Sequence, residues 1–387
     1  MAEIHGTYRE EFSAVRDVLA ASLARGDDLG ASVAVFIDGK PVVDVWGGYA
    51  DAARSRPWER DTITNVYSFT KTMTGLCALI LIDRGLLDLD APVARYWPEF
   101  AQNGKAGVTV RHVLQHTSGL PAWTEEITPQ DLCDLQKSTD LLARQAPWWT
   151  PGTVLAYHCF TTGHMVNMLT QRVTGLTLGQ FLAREVCTPL GPDADFHIGT
   201  GPECDDRVSL LTPGTPVPAL NEAAPTEGVS PVGIRITRYP YITPDITHNT
   251  WWRRAEVGGG NGHGNARAGA LIQSVMACGG EVNGVRLLSE DGCRRVLDKP
   301  FAGMDVAMSL AFTWGNGYCL NNDLATGMFG PAVQGHRLAY WGGNGGSFVL
   351  ADLDTRMSVA YVPNLWKSGV DNRAFAVIQA AYASLGA

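Results

Sequence analysis

The chain has no long apolar run, few lysines, no paired cysteine motif and no internal repeat. Its longest apolar stretch, Leu76 to Ile82, is far shorter than the ~20 residues that span a bilayer. The first twelve residues carry no apolar core of signal-peptide length. A soluble, unexported, cytoplasmic protein with no membrane partner is therefore expected. Six lysines, no basic run and a net charge of -9 exclude the clustered cations that a nucleic-acid partner requires. None of the eight cysteines (77, 133, 159, 187, 204, 278, 293 and 319) stands in a Cys-x-x-Cys pair. A chain this long folds without disulfides, so free thiols in a reducing compartment are expected. No Gly-x-Ser-x-Gly elbow occurs, which argues against Ser-His-Asp chemistry on an α/β-hydrolase sheet.

What is present is ordinary globular composition, 45% hydrophobic and 18% charged over 387 residues. That length exceeds the ~250–300 residues at which one core stops growing, so two subregions are expected. Helical spacing of apolar residues predicts helices over 8–24, 68–84, 109–116, 129–145, 160–173, 178–187, 265–279 and 371–384. Asp38-Gly39 between two β-branched runs predicts a hairpin over 31–46. Strand patterns recur at 311–319, 336–341, 346–352 and 357–362. The stretch 190–265 is rich in Pro and Gly and reads as long irregular loops. Strands at both ends with helices between them predict one sheet built from both termini. The expected class is α/β (α+β), an antiparallel sheet flanked by helices plus a mainly helical lobe, with a cleft between them.

Ser68-Phe69-Thr70-Lys71 opens the second helix. Residues i and i+3 share a helix face, so the Lys71 amine comes within reach of the Ser68 hydroxyl. Serine is a weak nucleophile until a base takes its proton, and lysine is a base only when neutral. Met73 to Ile82 is apolar all round, so this helix is predicted to be buried, and burial lowers a lysine pKa. The pair alone also fits a helix-capping serine beside a solvated first-turn lysine.

Three further elements follow in order: Leu114-Gln-His-Thr-Ser-Gly-Leu-Pro121, Pro151-Gly-Thr-Val-Leu-Ala-Tyr157-His158-Cys159, and Tyr340-Trp341-Gly342-Gly343-Asn344-Gly-Gly-Ser347. Together with the Ser-x-x-Lys pair, this set resembles the serine β-lactamase and penicillin-binding superfamily, class C β-lactamases and family VIII carboxylesterases above all. The resemblance covers residues 10–380 as one catalytic domain. Its α/β lobe takes about 1–67 and 265–387, and its helical, loop-rich lobe about 68–264. It implies that Tyr157 reaches Ser68 and Lys71 and relays protons to the leaving group. It implies an oxyanion hole from the backbone N–H groups of Ser68 and Asn344, and an edge strand carrying Trp341-Gly342-Gly343 against the substrate. His158 and Cys159, beside the tyrosine, become candidate substrate contacts. The family's Tyr-x-Asn here ends in Cys159, and its lysine- or histidine-led triad here begins with Trp341. Two anchors of an anionic β-lactam are lost, and a neutral ester fits better.

Other features fit structural roles. Gly258-Gly-Gly-Asn-Gly-His-Gly-Asn265 lacks the ending of a phosphate loop, and the resemblance implies that it walls the cleft instead. His112 and His116 have zinc-ligand spacing but no third ligand, so no metal is expected, and the acyl-enzyme chemistry that the resemblance implies needs no organic cofactor. Trp148-Trp149 and Trp251-Trp252 fit core packing or an aromatic wall. The resemblance thus implies a serine carboxylesterase that hydrolyses small-molecule esters through an acyl-enzyme on Ser68. Acyl transfer from the same site, amide or β-lactam hydrolysis, D-Ala-D-Ala peptidase activity and a catalytically inert binding module are the alternatives.

Overall fold

The computed structural model describes residues 3–215, 217, 230–369 and 371–386. Its centre is a nine-stranded sheet drawn from both ends of the chain. From one edge its strands are Ile4–Tyr8, Lys40–Gly48, Gly30–Ile37, Met357–Pro363, Phe348–Asp352, Leu338–Gly342, Cys319–Leu320, Leu310–Trp314 and Phe301–Asp305. Every neighbouring pair is antiparallel. The central pair, Gly30–Ile37 and Met357–Pro363, is buried along almost its whole length, as expected of strands covered on both faces. Helices Ser13–Arg25 and Arg373–Ser384 cover one face, and helix Ala266–Ala277 covers the other.

The Asp38-Gly39 turn has the left-handed backbone at both residues, φ 49° and 72°, that a tight hairpin needs. The expected helix over 8–24 begins later, at Ser13, because Ile4–Tyr8 is instead an edge strand. The edge strand Phe301–Asp305 and the helix Asp323–Phe329 were not apparent from the sequence; their alternation is too short or too polar to read.

The expected loop region 190–265 needs correction. It holds three strands of a small sheet, His197–Ile198, Gly262–Gly264 and Val208–Ser209, assembled around Ile63–Asn65. It also holds helices Pro231–Arg238 and Thr250–Arg254. Strands of two or three residues carry no periodicity, so only their pairing reveals them. Positions 216 and 218–229 of that region lie outside the described residues.

The helix Thr70–Asp83 runs through the main core cluster, and every residue from Thr70 to Ile82 is buried. It contacts helix Thr161–Thr174, so the Ser68 turn sits where the sheet meets the helical part.

Candidate active site

Tyr67–Phe69 is a single 3-10 turn that leads into helix Thr70–Asp83. Tyr67 adopts φ 43°, a left-handed conformation that bulky residues rarely take and that costs about 1–2 kcal/mol. Its ring is held by Leu211 and Trp366, and its hydroxyl donates to the Thr243 carbonyl at 3.3 Å. The bend leaves Ser68 half-exposed between two fully packed neighbours.

Lys71 lies one helical turn on, only 3% exposed. Its Nζ is 3.1 Å from Ser68 Oγ and 2.6 Å from the Gly259 carbonyl, and it also donates to the Cys159 carbonyl. Two of these partners can only accept, whereas a hydroxyl can donate. An ammonium donates to all three, and a neutral amine keeps both carbonyls through its two hydrogens and offers its lone pair to the serine O–H. Burial favours that form, bringing the amine from 10.5 down to about 8. The Gly-rich segment makes the cage possible. A side chain on Gly259 would meet Phe160 Cα and the Cys159 carbonyl at 2.8 Å.

Tyr157 stands on the other side of the amine, its ring centroid 4.8 Å from Lys71 Nζ. Its hydroxyl accepts from Trp341 Nε1 at 2.9 Å and lies within electrostatic reach of the Ser68 side chain. Burial pushes its phenol well above the ordinary value of 10, so it keeps its proton at neutral pH. Trp314 stacks on Tyr157, with Trp341 at 4.7 Å from Trp314 and His116 at 4.1 Å. His116 Nδ1 accepts from the His158 backbone N–H at 3.1 Å, and burial holds its ring well below 6.5, hence neutral.

Trp341 and Gly342 end a strand that is interior to the sheet, not at its edge as the family resemblance implied. The neighbouring strand Cys319–Leu320 is only two residues long and pairs with Tyr340 and Ala339. From Trp341 onward that side is open, so an interior strand acts as an edge toward the cleft. Gly343 then packs on the Val66–Tyr67 peptide, one residue ahead of the Ser68 amide: a Cβ there would meet the Val66 carbonyl at 2.0 Å. Ser347 Oγ ties the same carbonyl at 2.7 Å. These contacts bring the exposed Asn344 beside the Ser68 turn.

Not every expected contact faces the cleft. His158 is fully buried, with Nε2 2.7 Å from Ser118 Oγ and Nδ1 2.5 Å from the Ala156 carbonyl. Both ring nitrogens are taken, so its side chain has nothing left for a substrate. Cys159 reaches the site through its carbonyl, and burial raises its thiol. His112 caps its own helix, accepting from the Thr109 N–H at 3.3 Å. Trp252 is core, and Trp148 bonds to Thr124. The tryptophans of the site are Trp314 and Trp341. No sequence signal marked Trp314, and the spacing of His116 from His112 gave no hint of its place against Tyr157 and Trp314, since both roles exist only through contacts.

The arrangement can take a proton from a serine hydroxyl, hold it on a buried amine and return one from a phenol. The chain matches the Beta-lactamase family over residues 15–383. It is 36% identical over 269 residues to the esterase/beta-lactamase LipL of Mycobacterium tuberculosis, a match covering 68% of this chain. The match spans 62% of LipL, under two thirds of that protein's length. A crystal structure of a family VIII carboxylesterase superposes with TM-score 0.90 at 36% identity, covering 99% of this chain and 100% of the other. A penicillin-binding protein homologue from Caulobacter crescentus superposes with TM-score 0.87 at 34% identity, covering 99% and 100%.

Proposed function

This chain belongs to the beta-lactamase family, and from that premise we propose that it is a serine carboxylesterase. The observation that carries the reading is the Ser68–Lys71–Tyr157 cluster, with Lys71 Nζ 3.1 Å from Ser68 Oγ and a buried, neutral phenol beside both. Lys71, with Tyr157, takes the Ser68 proton as Oγ attacks the ester carbonyl. The developing oxyanion is held by the N–H groups of Ser68 and Asn344, preorganised donors of a kind worth several kcal/mol. Tyr157 protonates the leaving alcohol and recovers a proton from Lys71. Water then releases the acid by the same steps, and an alcohol or amine in its place gives acyl transfer.

A neutral ester is favoured over an anionic β-lactam. Trp341 stands where a family lysine would pair with a carboxylate, and its indole N–H is already committed to Tyr157. Relatives bearing the names esterase and family VIII carboxylesterase support the same choice. We assign residues 10–380 to one catalytic domain, with the cleft between its sheet lobe and its helical lobe. No helix among the described residues is long and apolar enough to cross a membrane. The cytoplasm is the compartment this reading favours, since eight free thiols suit reducing surroundings.

The test compares wild type with Ser68→Ala on p-nitrophenyl butyrate and on a chromogenic cephalosporin. Ester hydrolysis is expected in wild type, and its loss in Ser68→Ala. Full retention in the variant would remove Ser68 from the mechanism, and turnover of the cephalosporin alone would remove the esterase reading.

A further inference from the structure

The turn that follows Trp341-Gly342 is fastened from below by a buried guanidinium. Arg373 is the first residue of helix Arg373–Ser384, with its side chain 8% exposed. Its Nη2 has two hydrogens for three acceptors: Asp371 Oδ2 at 2.5 Å, and the carbonyls of Gly345 and Leu365, each at 3.0 Å, which share the second hydrogen. The peptide unit with the Gly345 carbonyl also contains the Gly346 N–H, which donates to the Gly343 carbonyl at 3.1 Å. The peptide unit with the Gly343 carbonyl also contains the Asn344 N–H. The hydrogen bonds thus run head to tail from Arg373 through two peptide units to Asn344. Each donor in such a chain polarises the next, and the positive end of the chain is the Asn344 N–H.

The guanidinium is itself immobilised. Its Nη1 donates to Asp28 Oδ1 at 2.6 Å and to the Asp27 carbonyl at 3.1 Å. Its Nε is 2.9 Å from Asp371 Oδ1. Asp28 has no exposed side-chain surface, and it also accepts from Ser22 at 2.5 Å and from Tyr361 at 2.6 Å. The turn is therefore tied to the first helix and to the central strand. Gly346, at φ 114°, lets the guanidinium lie directly on the backbone: a Cβ there would meet Arg373 Nη2 at 2.6 Å.

We propose that Arg373, held by Asp28 and Asp371, is a positioning residue that aims and polarises the Asn344 N–H of the oxyanion site. Arg373 touches no reacting atom; it acts through the Gly345–Gly346 and Gly343–Asn344 peptides. The inference rests on the esterase reading of Ser68 and Asn344.

The test measures kcat and KM for p-nitrophenyl butyrate per active site titrated with a fluorophosphonate. It also measures inhibition by phenylboronic acid, whose adduct with a serine carries a tetrahedral anion. Arg373→Met is expected to lower kcat by ~10–100-fold with KM within about threefold, since one oxyanion donor accounts for ~10²–10³ in kcat. Boronate affinity should fall by a similar factor, and Arg373→Lys should recover part of both. Unchanged kcat and boronate affinity in Arg373→Met would overturn the proposal, as would losses confined to the titrated fraction. If Arg373→Met does not fold, Asp371→Asn is read the same way: a smaller parallel loss supports the proposal and no loss overturns it. Ser68→Ala separates the two layers. An active Ser68→Ala defeats the esterase reading, whereas an inert one beside an unimpaired Arg373→Met defeats only the role of Arg373.

Discussion

The Trp341 indole N–H donates to the Tyr157 hydroxyl at 2.9 Å, across 184 residues of sequence. The bond occupies an acceptor site of the phenol oxygen, so the phenol's own hydrogen is left for Ser68 or a leaving group. On the proposed reading, one tryptophan thereby orients the proton donor.

Trp341→Phe keeps most of the packing against Trp314 and Phe312 but deletes the donor. Leaving a buried polar atom without its partner costs about 1–3 kcal/mol. A kcat about tenfold lower is expected, with little change in KM. An unaltered kcat would mean that the indole only fills space.

Lys71 must be neutral to act as base, and its amine lies near 8. Ester hydrolysis at low substrate should climb about tenfold per pH unit below that value and level off above it. A flat profile between pH 6 and 9 would remove Lys71 as the base.

The same lowered value bears on stability. Between pH 8 and 10.5 the unfolded chain binds more protons at this lysine than the folded one, so its contribution to stability rises with pH through that window. Below pH 8 the full penalty stands, about 3 kcal/mol at 1.36 kcal/mol per unit. Lys71→Met removes it but strands the Cys159 and Gly259 carbonyls, which offsets a similar amount. The inactive variant should thus melt close to wild type at pH 7. Wild type should gain on it as pH approaches 10, and denaturant titrations at the two pH values test this.

Gly343→Ala places a methyl against the Val66 carbonyl and Ser347 Oγ, at 2.0 and 2.3 Å before any movement. The strand end must withdraw from the Ser68 turn, taking the Asn344 N–H with it. A loss of ~10²-fold or more in kcat is expected, with circular dichroism close to wild type. Retention of full activity would place the oxyanion donors elsewhere.

Cys159→Ser replaces a thiol but leaves the carbonyl that holds Lys71. Ester kcat/KM should stay within about threefold. Because burial raises the thiol, iodoacetamide should inactivate wild type slowly at pH 7. A large loss in Cys159→Ser would assign the thiol itself to the site.

The Ser68–Lys71 pair was legible because helix geometry fixes an i, i+3 contact wherever the helix occurs. Its burial was equally legible, since Met73 to Ile82 offers no polar face. The hairpin at Asp38-Gly39 and the sheet from both termini followed from local turn chemistry and strand periodicity. The carbonyl cage of Cys159 and Gly259, the indole on Tyr157 and the guanidinium under Gly345 were not legible. Each rests on hydrogen bonds between residues far apart in the chain, and no local spacing encodes such contacts. His158 shows the same limit from the other side: its neighbourhood in sequence suggested a substrate contact, but its backbone direction turned the ring into the core. Sequence determined which groups could do chemistry here, because side-chain type and helical period are local. Only the tertiary structure decided which of them meet, because the sheet brings residue 341 to residue 157 and residue 373 to the turn beside Ser68.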